Sequence, residues 1–226
     1  MAYPMSRVPR GLCLIINNLD FQDKELDRRG GEFDEEMLLD LFSKLSFEVC
    51  IKNDLKYYEM LAIAEKFASK DHRDYDAFVM IVMSHGGDGD TIYGVRGRHK
   101  IRVTDLMAEF KIDRCPSLAG KPKIFIVQAC RGSRDEREAP VSDSNGYMVD
   151  AMASDSTLAQ SVTPPEADFL LAYATTPGYV SFRSETSGSM YIKVSIKFLV
   201  PSVPISCIIE KEIKTKSNSR SSNFRF

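Results

Sequence analysis

Three apolar runs constrain this chain more than anything else in it. Leu12 to Ile16, Ala77 to Met83 and Ile124 to Val127 are short, rich in β-branched residues and free of the polar–apolar alternation of a half-exposed strand. Runs of this kind are the mark of strands covered on both faces, as in the middle of a parallel sheet. Between them the hydrophobic period changes to that of helices. Phe33, Met37, Leu38, Leu41, Phe42 and Leu45 predict one helix, with Glu32, Asp34, Glu35 and Glu36 in its first turn, where the helix dipole favours anions. Tyr57, Met60, Leu61, Ala64, Phe67 and Ala68 predict a second, with Asp54 as its cap. Phe47 to Ile51 reads as a short strand between them. Strands alternating with helices predict an α/β fold, a central mostly parallel sheet flanked by helices, with the strands after Gly11, Ala77 and Lys123 as neighbours.

Further along, Ser84 to Asp90 reads as a glycine-rich loop, and Thr91–Val95 with His99–Val103 as a hairpin. A short helix through Leu106, Met107 and Phe110 would be capped by Thr104. From Arg131 to Glu166 the composition turns to Asp, Ser, Glu and Pro, which reads as a long exposed linker. Asp168 to Thr175 is another buried strand, Gly188 to Phe198 reads as helical, and Lys211 to Phe226 reads as a disordered basic tail.

The bulk numbers exclude several classes of function. With 226 residues, 43% of them hydrophobic, the chain can bury a sizeable core. A net charge of −2 gives no electrostatic case for nucleic acid or an anionic membrane, and no apolar run is long enough to span a bilayer. Cys13, Cys50, Cys115, Cys130 and Cys207 are scattered and odd in number, with no C-x-x-C pair. Neither a disulfide framework nor a zinc site is expected, nor any cofactor, and the thiols read as those of a cytoplasmic protein.

Chemistry concentrates where strands end. Cys130 leaves the carboxyl end of the third apolar run and His85 that of the second, the edge where open α/β sheets place their ligands. Taken singly, each is as easily a core thiol or a loop histidine. Together, on neighbouring strands and each close to glycine, they suggest a thiol nucleophile and an imidazole that takes its proton and returns it to a leaving amine. The N–H groups of Gly86 and Cys130 could then form an oxyanion hole, worth roughly 3–4 kcal/mol per donor in well-studied hydrolases.

These residues also carry a family resemblance. Gln128-Ala-Cys-Arg-Gly132 resembles the nucleophile pentapeptide of caspases, which have their histidine roughly 50 positions upstream. Met83-Ser-His-Gly-Gly87, Asp27-Arg-Arg-Gly30, Pro165-Glu-Ala-Asp-Phe-Leu170, Ala172-Tyr-Ala-Thr-Thr176 and Gly178-Tyr-Val-Ser-Phe-Arg183 are similar to further motifs of that family, over about residues 10 to 193. The resemblance implies a three-layer caspase-like fold and an endopeptidase cleaving proteins after aspartate in apoptosis or related signalling. It implies an aspartate pocket of Arg28, Gln128 and Arg183, with Val180, Ser181 and Phe182 along the groove. Phe182 stands where most members have tryptophan.

The same resemblance divides the chain into a short N-terminal segment 1–10, a large-subunit part 11–134, a processing linker 135–166, the start of a small subunit 167–193 and a divergent tail 194–226. Asp143, Asp150 and Asp155 are candidate processing sites in the linker; Tyr147-Met-Val-Asp150 resembles a tetrapeptide recognition sequence. The chain reads as a short-prodomain form that is spliced or truncated beyond Lys193, with the small-subunit end incomplete and the dimer-forming strand missing. Expected partners are aspartate-containing protein substrates and, in a homodimer or heterodimer, another caspase chain. The alternative is a catalytically weak or inactive homologue that binds and regulates an active caspase. A different peptidase of the same broad clan is disfavoured by the arginines, and a nucleotide-binding domain by the absence of a glycine loop opening a helix.

Overall fold

The structure, a computed structural model, describes residues 3–97, 99–132 and 167–199. Five strands form one sheet: β1 (Gly11–Asn17), β2 (Phe47–Asn53), β3 (Ala77–Met83), β7 (Lys123–Gln128) and β8 (Phe169–Tyr173). Their order is β2-β1-β3-β7-β8, and every pairing is parallel. The three apolar runs are therefore adjacent, as their lack of alternation predicts. Every residue of β1 and β3 is buried.

Alternate side chains feed two separate cores. Leu12, Leu14, Ile16, Phe78, Met80, Val82, Phe125 and Val127 point to the layer that holds α2 (Tyr57–Ala68) and α3 (Val103–Ala108), where Met60, Phe67, Leu106 and Phe110 meet them. Cys13, Ile15, Val79, Ile81, Met83 and Ile126 point the other way, onto Leu38, Leu41 and Phe42 of α1 (Gly31–Lys44) and Ile192 of α4 (Met190–Leu199). This three-layer α/β arrangement is the one predicted. Within the first core, Phe78 stacks on Phe110 with ring centroids 4.2 Å apart and meets Phe67 and Phe125 at steeper angles.

Local details differ from the sequence reading. Asp54 does not cap α2; it has φ 56°, and its carboxylate accepts the backbone N–H groups of Leu19 and Asp20, pinning the loop after β1. Instead, Glu59 reaches back to the N–H of Lys56 at the start of α2. Thr104 lies inside the first turn of α3, whose cap position is Arg102. Phe33 and Tyr57 are more than a third exposed and so are not core residues.

The expected glycine loop contains a two-residue strand, β4 (Gly86–Gly87). It pairs with β5 (Thr91–Tyr93), which pairs with β6 (Lys100–Arg102), in a small antiparallel sheet. At the other end, Gly188–Ser189 form a strand, β10, paired with β9 (Arg183–Ser184), so the final helix begins only at Met190. That helix packs against α1 and continues past Lys193 to Leu199, so regular structure extends beyond the boundary expected at 193. The expected processing linker, 135–166, and the expected disordered tail lie outside the described residues. No helix among the described residues is long and apolar enough to cross a membrane.

Truncating Phe78 removes the ring on which the first core is stacked. Phe78→Ala is expected to destabilise the fold by about 3–5 kcal/mol, read as a lowered urea midpoint at unchanged slope.

Candidate active site

The site begins with register. Asn17 of β1 lies beside Met83 of β3, and Met83 lies beside Gln128 of β7, so three strands end in one row. The ladder continues past it, the N–H of Asn18 bonding the carbonyl of Met83 at 2.9 Å and that of Ser84 the carbonyl of Gln128 at 3.2 Å. His85, Gly86 and Cys130 follow at once, which brings two distant stretches of chain to one edge.

Gly86 has to be glycine. A Cβ there would lie 2.0 Å from the carbonyl oxygen of Cys130, so any side chain would push the backbone around the thiol aside. Gly132 is constrained in the same way, since its Cβ would lie 2.4 Å from the carbonyl of Gly178. That contact lets residues 178–183 run beside the cysteine, the N–H of Arg131 bonding the carbonyl of Tyr179 and the N–H of Gly178 bonding the carbonyl of Arg131.

Cys130 is partly buried, and its sulfur accepts the backbone N–H of Ser181 at 3.4 Å, with Ser181 Oγ at 3.8 Å. His85 bonds elsewhere: its Nε2 is 2.7 Å from the carbonyl oxygen of Leu26. A carbonyl only accepts, so Nε2 carries a proton and Nδ1 of the neutral ring keeps the lone pair. The ring is also held edge-on by Phe21, with centroids 5.0 Å apart. Burial, and then the cations of Arg28 and Arg183, hold His85 below its ordinary value, against the pull of the Leu26 carbonyl. It is therefore the neutral, proton-accepting form of the ring that is present at pH 7.

Arg28, Gln128 and Arg183 come together as expected. Arg28 is only 2% exposed, and its Nη1 donates to the carbonyl of Asn18 at 2.8 Å and to Asn17 Oδ1 at 3.3 Å. Burial first, then the neighbouring Arg183 cation, push it down to about 9, so it still carries its charge at neutral pH. Arg183, on β9, is half-buried, lowered by burial, and held by an Nε bond to the carbonyl of Arg29 at 2.9 Å. Among the described residues neither guanidinium forms an ion pair with a carboxylate.

The nearby Asp34 is fully buried and already committed, accepting the N–H and Oγ–H of Ser189 at 2.6 and 2.5 Å. Gln128 is 2% exposed; its Nε2 donates to Ser181 Oγ at 3.3 Å, and its Oε1 is buried without a partner. A half-turn of that amide would let Ser181 donate to Oε1 and point the NH2 group at an incoming anion. One buried cation, one half-buried cation and an adjustable amide are groups that could hold one small carboxylate.

Ser181 thus touches both the thiol and the amide, whereas Val180 and Phe182 enter only as the apolar parts of the same segment, Phe182 being 37% exposed. Asp143, Asp150 and Asp155 lie outside the described residues. Several participants were not anticipated from the sequence. They include the Leu26 carbonyl, Asn17, Asn18 and Asp34. Another is Asp90, which holds Arg131 in a two-pronged pair at 2.7 and 3.0 Å while that guanidinium lies 3.8 Å from the centroid of the Tyr173 ring. The polar pair Asn17-Asn18, directly after an apolar strand, was the one visible signal among them.

With this geometry in view, the comparisons with known proteins are specific. Residues 10–199 match the family model for the caspase domain, Peptidase C14. Caspase-8 from Rattus norvegicus is 37% identical over 201 residues, covering 84% of this chain and 41% of that protein. Caspase-3 from Bos taurus is 38% identical over 200 residues, covering 88% of this chain and 68% of that protein. The crystal structure of caspase-1 from Spodoptera frugiperda superimposes with a TM-score of 0.71 at 31% identity, covering 86% of this chain and 72% of that one. The chain belongs to the caspase domain family. It spans less than half the length of the caspase-8 relative, and its likeness to the family model runs through α4 to residue 199 rather than stopping at 193.

The histidine supplies a direct check on the site's electrostatics. In an NMR titration the His85 imidazole is expected to protonate with a midpoint below the ordinary value of about 6.5. Arg183→Ala, which removes one of the cations opposing protonation, should move that midpoint upward. A midpoint insensitive to Arg183 would show that the guanidinium does not reach the imidazole.

Proposed function

We propose that this chain is a cysteine endopeptidase that cleaves protein substrates after aspartate. The observation that carries the reading is the pair Arg28 and Arg183, neither of which forms an ion pair with a carboxylate among the described residues, gathered with a Gln128 amide oxygen that has no hydrogen-bond partner among them, around the Cys130 thiol. A buried cation without a counter-ion is costly, and a substrate carboxylate would relieve that cost only when bound in this pocket. Glutamate would be one methylene too long to meet both guanidinium groups without strain.

The sequence of steps follows from the atoms present. The aspartate side chain docks on Arg28 and Arg183, which sets its carbonyl carbon against Cys130. His85, through Nδ1, accepts the thiol proton as sulfur attacks, and the carbonyl oxygen takes up negative charge facing the N–H groups of Gly86 and Cys130. The C–N bond then breaks, and His85 returns the proton to the leaving amine. Water, deprotonated by the same imidazole, hydrolyses the thioester and restores the thiol. The Leu26 carbonyl keeps the ring in the required tautomer and favours its transient positive charge.

In this reading the chain divides as the family does. Residues 11–134 form the large-subunit part, 135–166 a processing linker and 167–193 the beginning of the small subunit. Asp143, Asp150 or Asp155 is the processing site, the chain pairs with a second caspase chain, and it works in the cytoplasm in apoptotic or related signalling. The identity with caspase-8 and caspase-3 over most of this chain supports these points.

Three measurements test the proposal. Hydrolysis of a fluorogenic tetrapeptide ending in aspartate should disappear in Cys130→Ala with the circular dichroism spectrum unchanged. Replacing that aspartate by asparagine should lower kcat/KM by about 100-fold or more, because two buried cations lose their charged partner. The acid limb of kcat/KM should fall below the ordinary imidazole value, since His85 must lose its proton to act and its lowered pKa lets it do so at lower pH. A Cys130→Ala variant as active as the parent would overturn the reading.

A further inference from the structure

Among the described residues the most deeply buried carboxylate is that of Asp34, which has no exposed surface. It stands in the first turn of α1, a few positions after Arg28, and its charge reaches both arginines of the proposed pocket. Burial, and for Arg28 the neighbouring Arg183 cation, weaken the hold of these guanidinium groups on their protons. The Asp34 charge is the first of those that offset this at each of them. Glu32 and Glu185 act on Arg183 in the same sense, but both are exposed, where water and salt screen them; a buried charge is screened much less.

An anion in this position could close onto a guanidinium as a salt bridge. Asp34 forms no such pair, because its oxygens are held elsewhere. Oδ1 accepts the N–H of Ser189 at 2.6 Å, and Oδ2 accepts its hydroxyl at 2.5 Å. Gly188 permits this approach: its φ is 82°, and a Cβ there would lie 2.5 Å from Oδ1. Ser189 in turn faces Arg183 across the β9–β10 pair. The carboxylate is thus fixed within electrostatic reach of both cations while its hydrogen bonds are made to a third residue.

That placement has a consequence for affinity. Cleavage after aspartate leaves the same carboxylate on the product as on the substrate, so a pocket that grips it too strongly retains the product. Two cations in a site of low dielectric, with no anion near, would grip it strongly. An internal ion pair would instead fill the pocket with the protein's own side chain. A fixed anion that does not close on the guanidinium groups leaves the pocket open and lowers its positive potential.

We propose that Asp34 is a positioning residue that also limits the charge of the pocket: tied to Ser189, it loosens the hold of Arg28 and Arg183 on an aspartate side chain and speeds release of the cleaved product. The inference rests on the endopeptidase reading and adds to it a residue outside the pocket that sets how tightly and how selectively the carboxylate is held.

The test measures binding on the Cys130→Ala chain, so it needs no turnover. Two dye-labelled peptide amides, Tyr-Met-Val-Asp and Tyr-Met-Val-Asn, differ only in the side-chain carboxylate. Fluorescence anisotropy gives their affinities and stopped flow their dissociation rates. Asp34→Asn keeps the shape and an oxygen for the Ser189 N–H but removes the charge. It is expected to tighten the Asp peptide by about tenfold, mainly through slower dissociation, and to leave the Asn peptide within about twofold. Loss of a merely structural side chain would not raise affinity for one peptide alone. Ser189→Ala keeps the charge and removes one of its hydrogen bonds, so it should act in the opposite sense and lower the Asp-to-Asn affinity ratio by about threefold.

A ratio that stays level or falls in Asp34→Asn overturns the proposal. Should that variant fail to fold by circular dichroism, Ser189→Ala decides, and a ratio equal to that of Cys130→Ala alone overturns it. In either case a clear preference of Cys130→Ala alone for the Asp peptide leaves the aspartate reading intact. No preference between the two peptides would overturn that reading and this one together.

Discussion

The row formed by Asn17, Met83 and Gln128 is the constraint on which everything else in this molecule depends. Parallel strands in register deliver their carboxyl ends to one edge, and the next one or two residues of each strand carry the chemistry. A slip of one residue in β7 would exchange its two faces, sending Phe125 and Val127 toward α1 and Ile126 toward α2. Cys130 would leave the edge at the same moment. The two apolar cores therefore fix the site as firmly as they fix the fold, since both are satisfied by one register only.

On that frame the site is assembled from unfavourable electrostatics. Arg28 is buried among neutral oxygens with a second guanidinium close by, so burial first and then the Arg183 cation lower its hold on its proton. The same two charges resist protonation of His85. Asp34 offers partial compensation, but its oxygens are occupied by Ser189, which ties the start of α1 to β10 and keeps Arg183 in place beside its partner cation. The fold tolerates this arrangement because the large cores on either side of the sheet supply the surplus stability. What the arrangement achieves is preorganisation: the charges that an anion would meet are already in position, and little has to move when it arrives.

Much of this was legible in the sequence, for a physical reason. Strands covered on both faces have to be apolar at every position, so β1, β3 and β7 announce themselves and their shared edge follows. Cys130, His85, Arg28, Gln128 and Arg183 stand in motifs specific enough to be read directly. The participants that escaped notice act through backbone atoms or through distant partners. The Leu26 carbonyl has no side-chain signature. Asp34 looks like one more acid in a crowded first turn until the fold brings Ser189 to it across 155 positions. Asp54 and Thr104 have the composition of caps, but tertiary contacts gave Asp54 a loop to hold and placed Thr104 within its helix.

The segment 178–183 joins these threads. It is anchored to Arg131 by two backbone bonds, and Arg131 is anchored in turn by Asp90 and by the face of Tyr173. The same segment presents Ser181 to both Cys130 and Gln128 and ends in Arg183. One short stretch of chain thereby sets the environment of Cys130 and one wall of the proposed carboxylate pocket at once. Its own position depends on β8 lying beside β7, because Tyr173 is the last residue of β8. The pairing of β8 with β7 therefore holds the segment that surrounds Cys130. Without that pairing Cys130 would lack the N–H of Ser181 and Arg28 its neighbouring cation.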